Sequence, residues 1–139
     1  MKLVADTNVV VSGLLWLGNP GRVLEAAALG RVTLYTSPAL VAELAATLGG
    51  AKLARRVEHS GLSLDELLER YLNVAIAVEP ATVPRVVTTD PDDDQVLACA
   101  LAAQADLIVS GDADLLELKT YQDIAIVGAT EAMRRISSA

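Results

Sequence analysis

Carboxylates set among apolar residues are the groups in this chain whose type and spacing could do chemistry. Asp6 is the only charge between Lys2 and Arg22, and it closes the short apolar run Leu3-Val4-Ala5. Glu43 is the only charge between Arg31 and Lys52. Asp90, Asp92, Asp93 and Asp94 crowd around Pro91, and Asp112 and Asp114 follow Ser110-Gly111 directly. An unpartnered carboxylate is costly to bury, so acids that converge from such settings would be expected to share a cation. An all-oxygen donor set selects hard ions, Mg2+ or Mn2+, over zinc or copper. The single histidine, His59, is remote from these motifs and reads as a surface residue. The single cysteine, Cys99, excludes an internal disulfide and a cysteine-built zinc site.

Each acid also has a plainer reading. Asp6 could be a turn former or a helix N-cap. Glu43 could be a solvated side chain on a helix edge. Capping does not account for it, because Leu40 holds the capping-box position after Ser37, and its helical neighbours Ala39, Leu40, Ala46 and Thr47 offer no base. Acids after Asp90 are favoured at a helix start, but four of them repel one another. A short N-capped helix after Gly111 would explain Asp112 or Asp114, not both.

The elements that must position these acids can be read from the pattern. Leu3–Ala5 reads as a strand ending at Asp6, and Val9–Trp16 as a buried helix broken by Asn19-Pro20-Gly21. Arg22–Leu29 reads as a second helix stopped by Gly30. Val32–Thr36 has the β-branched and aromatic enrichment of a strand. Ser37-Pro38 starts a helix that runs to Leu48 and stops at Gly49-Gly50. Helices follow over Lys52–Glu58 and Leu64–Tyr71, the latter opened by a Ser63/Glu66 capping box. Val74–Val78 is a third strand, Asp90-Pro91 starts a helix running through Ala103, and Asp106–Ser110 and Ile124–Val127 are further strands. Thr130 is expected to cap a closing helix. Strands separated by helices predict right-handed crossovers and a parallel sheet of about five strands covered on both faces, a three-layer α/β/α sandwich. A parallel sheet would bring the acids to one edge, the carboxyl ends of the strands, where ligands bind in open α/β sheets.

Bulk properties agree. The 139 residues suit a single domain over 1–139, and with 53% hydrophobic residues the chain is core-rich. No apolar run approaches the ~18 residues of a membrane helix, and Asp6 interrupts the apolar stretch that a signal peptide would need, so a cytoplasmic protein without membrane association is expected. Net charge is −7, but residues 1–72 balance seven bases against seven acids, so the whole excess lies in residues 73–139. A global acidic balance opposes non-specific polyanion binding, whereas acids gathered in one place can be bridged to phosphate by divalent cations.

Val4-Ala5-Asp6-Thr7-Asn8-Val9-Val10-Val11-Ser12 resembles the opening motif of PIN domains. The resemblance continues through Ser37-Pro38-Ala39-Leu40-Val41-Ala42-Glu43-Leu44, through Asp90-Pro91-Asp92-Asp93 with Leu97 and Ala100, and through Ile108-Val109-Ser110-Gly111-Asp112-Ala113-Asp114-Leu115-Leu116. It spans essentially the whole chain, and the subgroup it is most similar to is described as toxins of toxin–antitoxin systems. The resemblance implies a PIN-like fold and a Mg2+- or Mn2+-dependent ribonuclease. It assigns Asp6, Glu43, Asp93 and Asp112 as catalytic and metal-binding acids, with Asn8 supporting Asp6 and with Ser110 and Asp114 lining the site. Asp93 fits the family's Asp-Pro-x-Asp pattern, and the adjacent Asp94 is the alternative for the third acid. It further implies a homodimer or higher homo-oligomer and an antitoxin partner, with Val9–Trp16 serving either an interface or the core.

The mechanism expected on this basis is in-line attack of an activated water on the phosphodiester of single-stranded RNA, leaving a 5′-phosphate and a 3′-hydroxyl. Arg22, Arg31, Lys52, Arg55 and Arg56 are candidate RNA contacts around the rim of the acidic pocket. Three other readings compete. A structure-selective DNA nuclease would need arch and helix-turn elements for which 139 residues leave no room. A non-catalytic acidic module would bind a metal or a partner protein. A phosphoacceptor domain would need a lysine after a late strand, and Lys119 is poorly placed for it.

Overall fold

The fold is taken from a computed structural model that describes residues 1–81 and 91–138, with side chains from residue 93 onward in the second stretch. Asp90 and Asp92, two of the acids singled out above, lie outside the described residues or side chains. Among the described residues, six strands form one sheet: β1 (Lys2–Ala5), β2 (Thr33–Thr36), β3 (Ala75–Ala77), β4 (Leu107–Val109), β5 (Thr120–Tyr121) and β6 (Ile124–Val127), in the order β3-β2-β1-β4-β6-β5. All neighbours run parallel except β5 against β6.

Among the described residues, eight helices flank the sheet: α1 (Thr7–Leu15), α2 (Asn19–Ala28), α3 (Pro38–Leu48), α4 (Ala54–His59) after a 3-10 turn over Ala51–Leu53, α5 (Leu64–Leu72), α6 (Pro91–Ala103), α7 (Ala113–Leu118) and α8 (Ala129–Ser138). Strand residues alternate between the two faces. Leu3, Ala5, Leu107 and Val109 pack with apolar residues of α1, α2, α5 and α8. Val4 and Ile108 face the other way, onto Val96, Leu97, Cys99 and Ala100 of α6 and Leu115 of α7. A strand buried on both faces has no polar side to show, which is why β1 and β4 read as unbroken apolar runs. Among the described residues, no helix is long and apolar enough to cross a membrane.

Three local expectations are corrected. Asn19-Pro20-Gly21 does not separate two helices but forms the first turn of α2, capped by Gly18 at φ 130°. Proline is tolerated there because its missing N–H belongs to a turn with no intrahelical acceptor. Thr130 does not cap α8, whose first helical bond runs from Ala132 N–H to Gly128 O. The Thr130 hydroxyl instead accepts from Asn19 Nδ2 at 2.9 Å, tying α8 to the start of α2. Finally, β5 is an additional strand joined to β6 through Gln122 (φ 47°) and Asp123 (φ 68°). Both residues of this two-residue hairpin turn are left-handed, as its twist requires.

Order and direction together fix where a site can form. Moving outward from the centre of the sheet, β1 leads to β2 and β3 on one side, and β4 leads to β6 on the other. The connections therefore diverge between β1 and β4, opening a crevice at their carboxyl ends.

Candidate metal centre

Asp6 leaves β1 at this divergence. Its backbone N–H donates to Val109 O of β4 at 3.0 Å, and its side chain caps α1, with Oδ1 accepting from Val9 N–H at 2.8 Å. Oδ2 accepts from the Ser110 hydroxyl and from Gly111 N–H at 3.3 Å. Ser110 Oγ accepts in turn from Asp112 N–H at 3.0 Å, and Asp112 Oδ1 caps α7 by accepting from Asp114 N–H at 3.1 Å. One chain of bonds thus sets the carboxylates following β1 and β4 side by side. The N-cap reading of Asp6 and of Asp112 is correct, and it does not compete with the site reading, since the cap is what fixes each carboxylate.

Glu43 arrives on α3, started by Ser37, whose hydroxyl accepts from Leu40 N–H. Asp93 arrives on the first turn of α6. Asp6, Thr7, Asn8, Glu43, Asp93, Val96 and Asp112 line one cavity, with about 30 Å³ open to water and no base among its described lining residues. Carboxylate oxygens of Asp93, Asp112 and Asp114 all lie within 4.8 Å of one another, a spacing an ion can bridge. Asp6 and Glu43 share the cavity but not that tight group. Asp94 is buried but does not line the cavity, because adjacent helical residues point about 100° apart. Asn8 lies exposed at the cavity wall. The groups that hold Asp6 are Ser110 and two backbone N–H groups. Ser110 stands behind Asp6 and is almost wholly buried.

Burial pushes the Asp6 carboxyl above its ordinary range. Its three hydrogen bonds pull the other way, and the neighbouring Asp112 charge raises it further. A cation at this point would offset both the desolvation and the repulsion. The donor set is oxygen throughout, which fits Mg2+ or Mn2+ and gives zinc no nitrogen or sulfur.

Two lining residues, Thr7 and Val96, were not anticipated from the sequence. Thr7 carries no charge and looks like an ordinary turn residue. Nevertheless its Oγ1 is buried without a hydrogen-bond partner among the described residues.

The basic residues are not where the rim was expected. α1 and α3 start at the carboxyl edge of the sheet and run back toward the opposite edge, ~14 and ~16 Å at the rise of an α-helix. Arg56 sits at the far end of α1, 4.9 Å from the Trp16 ring centre and donating through Nε to Leu15 O at 3.1 Å. Lys52 and Arg55 follow the far end of α3. Arg22 and Arg31 line a separate cavity with Glu25, Leu29, Met133 and Ser137. None of these residues is among the described lining of the acidic cavity, and helix direction, invisible in local composition, sets where they lie. His59 is exposed at the end of α4, as expected for a surface residue.

A family model described as PIN domain matches residues 2–114, which contain every strand and helix that carries a lining residue. No curated protein and no solved structure matches the chain.

Proposed function

The chain belongs to the PIN-domain family, a nuclease-type family of generally metal-dependent hydrolases, and from that premise we propose that it is a Mg2+- or Mn2+-dependent endoribonuclease acting on single-stranded RNA, the toxin member of a toxin–antitoxin pair. The observation that carries the reading is the cavity at the β1/β4 divergence, where Asp6, Glu43, Asp93 and Asp112 meet from four separate parts of the chain.

In this reading Asp93 and Asp112 are the principal ligands, with Asp114 beside them and Asp6 and Glu43 completing the negative wall. A divalent ion held there supplies a Lewis acid that lowers the pKa of a water and offsets charge on the phosphate. Asp6, fixed by Ser110 and by the Val9 and Gly111 N–H groups, keeps its orientation through the reaction. Glu43, on the cavity wall, would take a proton from the attacking water. The open volume accommodates an ion with one or two waters and excludes a nucleobase. The scissile phosphate must therefore be presented at the mouth, which a flexible single strand does more readily than a duplex. An antitoxin would inhibit by closing the mouth with an Arg or Lys side chain opposite the acids.

The test is cleavage of a panel of single-stranded and duplex RNA and DNA with Mg2+, Mn2+ or chelator. Loss of a supporting group around a metal lowers activity ~10–100-fold, so loss of a ligand in Asp93→Asn should exceed ~10²-fold while the protein stays folded by circular dichroism. Cleavage that survives chelator, or that Asp93→Asn leaves intact, ends the reading. Cleavage confined to DNA moves it to the DNA nucleases.

A further inference from the structure

Thr7 is a cavity residue whose chemistry the reading above leaves unused. It opens α1 directly after Asp6, it is 7% exposed, and its Oγ1 has no hydrogen-bond partner among the described residues. A threonine in the first helical turn has acceptors and donors close by, yet this hydroxyl forms no bond with them among the described residues, and the residue that carries it lines the acidic cavity. Leaving a buried hydroxyl unsatisfied is unfavourable, and a valine of the same shape would avoid it. The site therefore tolerates a polar atom for which the described residues provide no partner.

We infer that the Thr7 hydroxyl is a positioning group for the hydration shell of the bound cation, accepting a hydrogen bond from a water that the ion brings into the cavity. This rests on the metal-centre reading above. The cavity has room for such a water beside an ion, and the carboxylates around it are acceptors only. A hydroxyl can both accept from a water and turn its own proton toward a carboxylate. Thr7 thus adds to the cavity wall a group that can hold a water's orientation without adding negative charge.

The experiment measures Mn2+ affinity directly, from the paramagnetic resonance signal of free Mn2+, for the parent protein, Thr7→Val and Thr7→Ser. Thermal midpoints are recorded in chelator. Losing one hydrogen bond should weaken Mn2+ binding by Thr7→Val ~5–10-fold. Thr7→Ser should bind within about twofold of the parent, because it keeps the oxygen. The metal-free midpoint of Thr7→Val should equal or exceed that of the parent, since the substitution removes an unsatisfied polar atom. If Thr7→Val does not fold, Thr7→Ala takes its place in the Mn2+ affinity comparison alone, since losing the methyl group lowers its midpoint. Parent-like Mn2+ affinity in Thr7→Val overturns the inference. Equal weakening in the Val and Ser variants overturns it as well, because shape rather than the hydroxyl would then be responsible. A parent protein that binds no Mn2+ or Mg2+ rejects the metal centre itself, an outcome distinct from the other two.

Discussion

At the residue scale, Asp6 links stability to chemistry. Burial raises its carboxyl above the ordinary value of 3.8, with the Asp112 charge adding to the effect. The sign follows from proton binding. Between the unfolded and folded pKa values the native state holds the proton more tightly, so stability is full below the unfolded value and falls as pH rises through the folded one. Metal-free protein should therefore lose thermal stability from about pH 4 upward in the acidic range relative to Asp6→Asn, whose profile lacks this component. Asp112→Asn keeps a side chain able to cap α7 but removes the neighbouring charge, and it should reduce the pH-dependent loss. Parallel melting profiles of the parent and Asp6→Asn in chelator would show that Asp6 is ordinary. Asp6 and Glu43 could be singled out in the sequence because each is an acid alone in an apolar stretch. Thr7 could not, since an uncharged residue draws notice only once its burial and its lack of a partner among the described residues are known.

At the element scale, the position of the acids depends on how closely α1 packs on α2. A Cβ on Gly13 would lie 2.7 Å from Leu24 Cδ1 and 2.9 Å from Pro20 O. The leucine end could swing aside, but the backbone oxygen could not. Helix propensity alone predicts that Gly13→Ala gains ~1 kcal/mol. Overpacking costs ~1–3 kcal/mol, and because backbone is involved it should prevail. Urea unfolding should show a net loss, and a gain would mean that the α1–α2 contact is looser than described. Most elements were legible because their signals are local: Ser37-Pro38 starts α3, the Ser63/Glu66 capping box starts α5, and unbroken apolar runs mark β1 and β4. The β5–β6 hairpin was not, because Gln122-Asp123 adopts the left-handed turn without the glycine that usually announces it. Pro20 misled for a related reason, since proline breaks a helix interior and suits a first turn, and only the position of the turn tells the two apart. Where the basic residues lie relative to the acids depends on which way α1 and α3 run, a consequence of topology that no local pattern carries.

At the scale of the whole molecule, the fold turns an uneven sequence into an uneven surface charge. The acid excess lies in residues 73–139, and Asp93, Asp112 and Asp114 bring part of it to the carboxyl edge of the sheet, where their oxygens lie within 4.8 Å of one another. Self-repulsion there opposes folding, and two kinds of added cation could relieve it. Monovalent salt screens exposed charges in proportion to ionic strength and reaches buried ones poorly. A divalent ion bound in the cluster acts by mass action on the native state alone, contributing ~2.7 kcal/mol at a concentration one hundred times its Kd. For a chain of this length each kcal/mol moves Tm by roughly 2–5 °C. Saturating Mg2+ should accordingly raise Tm by ~5–13 °C over protein in chelator, whereas NaCl at matched ionic strength should recover only a small part of that rise. Asp93→Asn should lose most of the Mg2+ increment and keep the NaCl one. If NaCl reproduces the full effect of Mg2+, or if Asp93→Asn responds to Mg2+ like the parent, the acids form a diffuse negative surface rather than a site, and the convergence of strand ends between β1 and β4 has no bound ion to explain it.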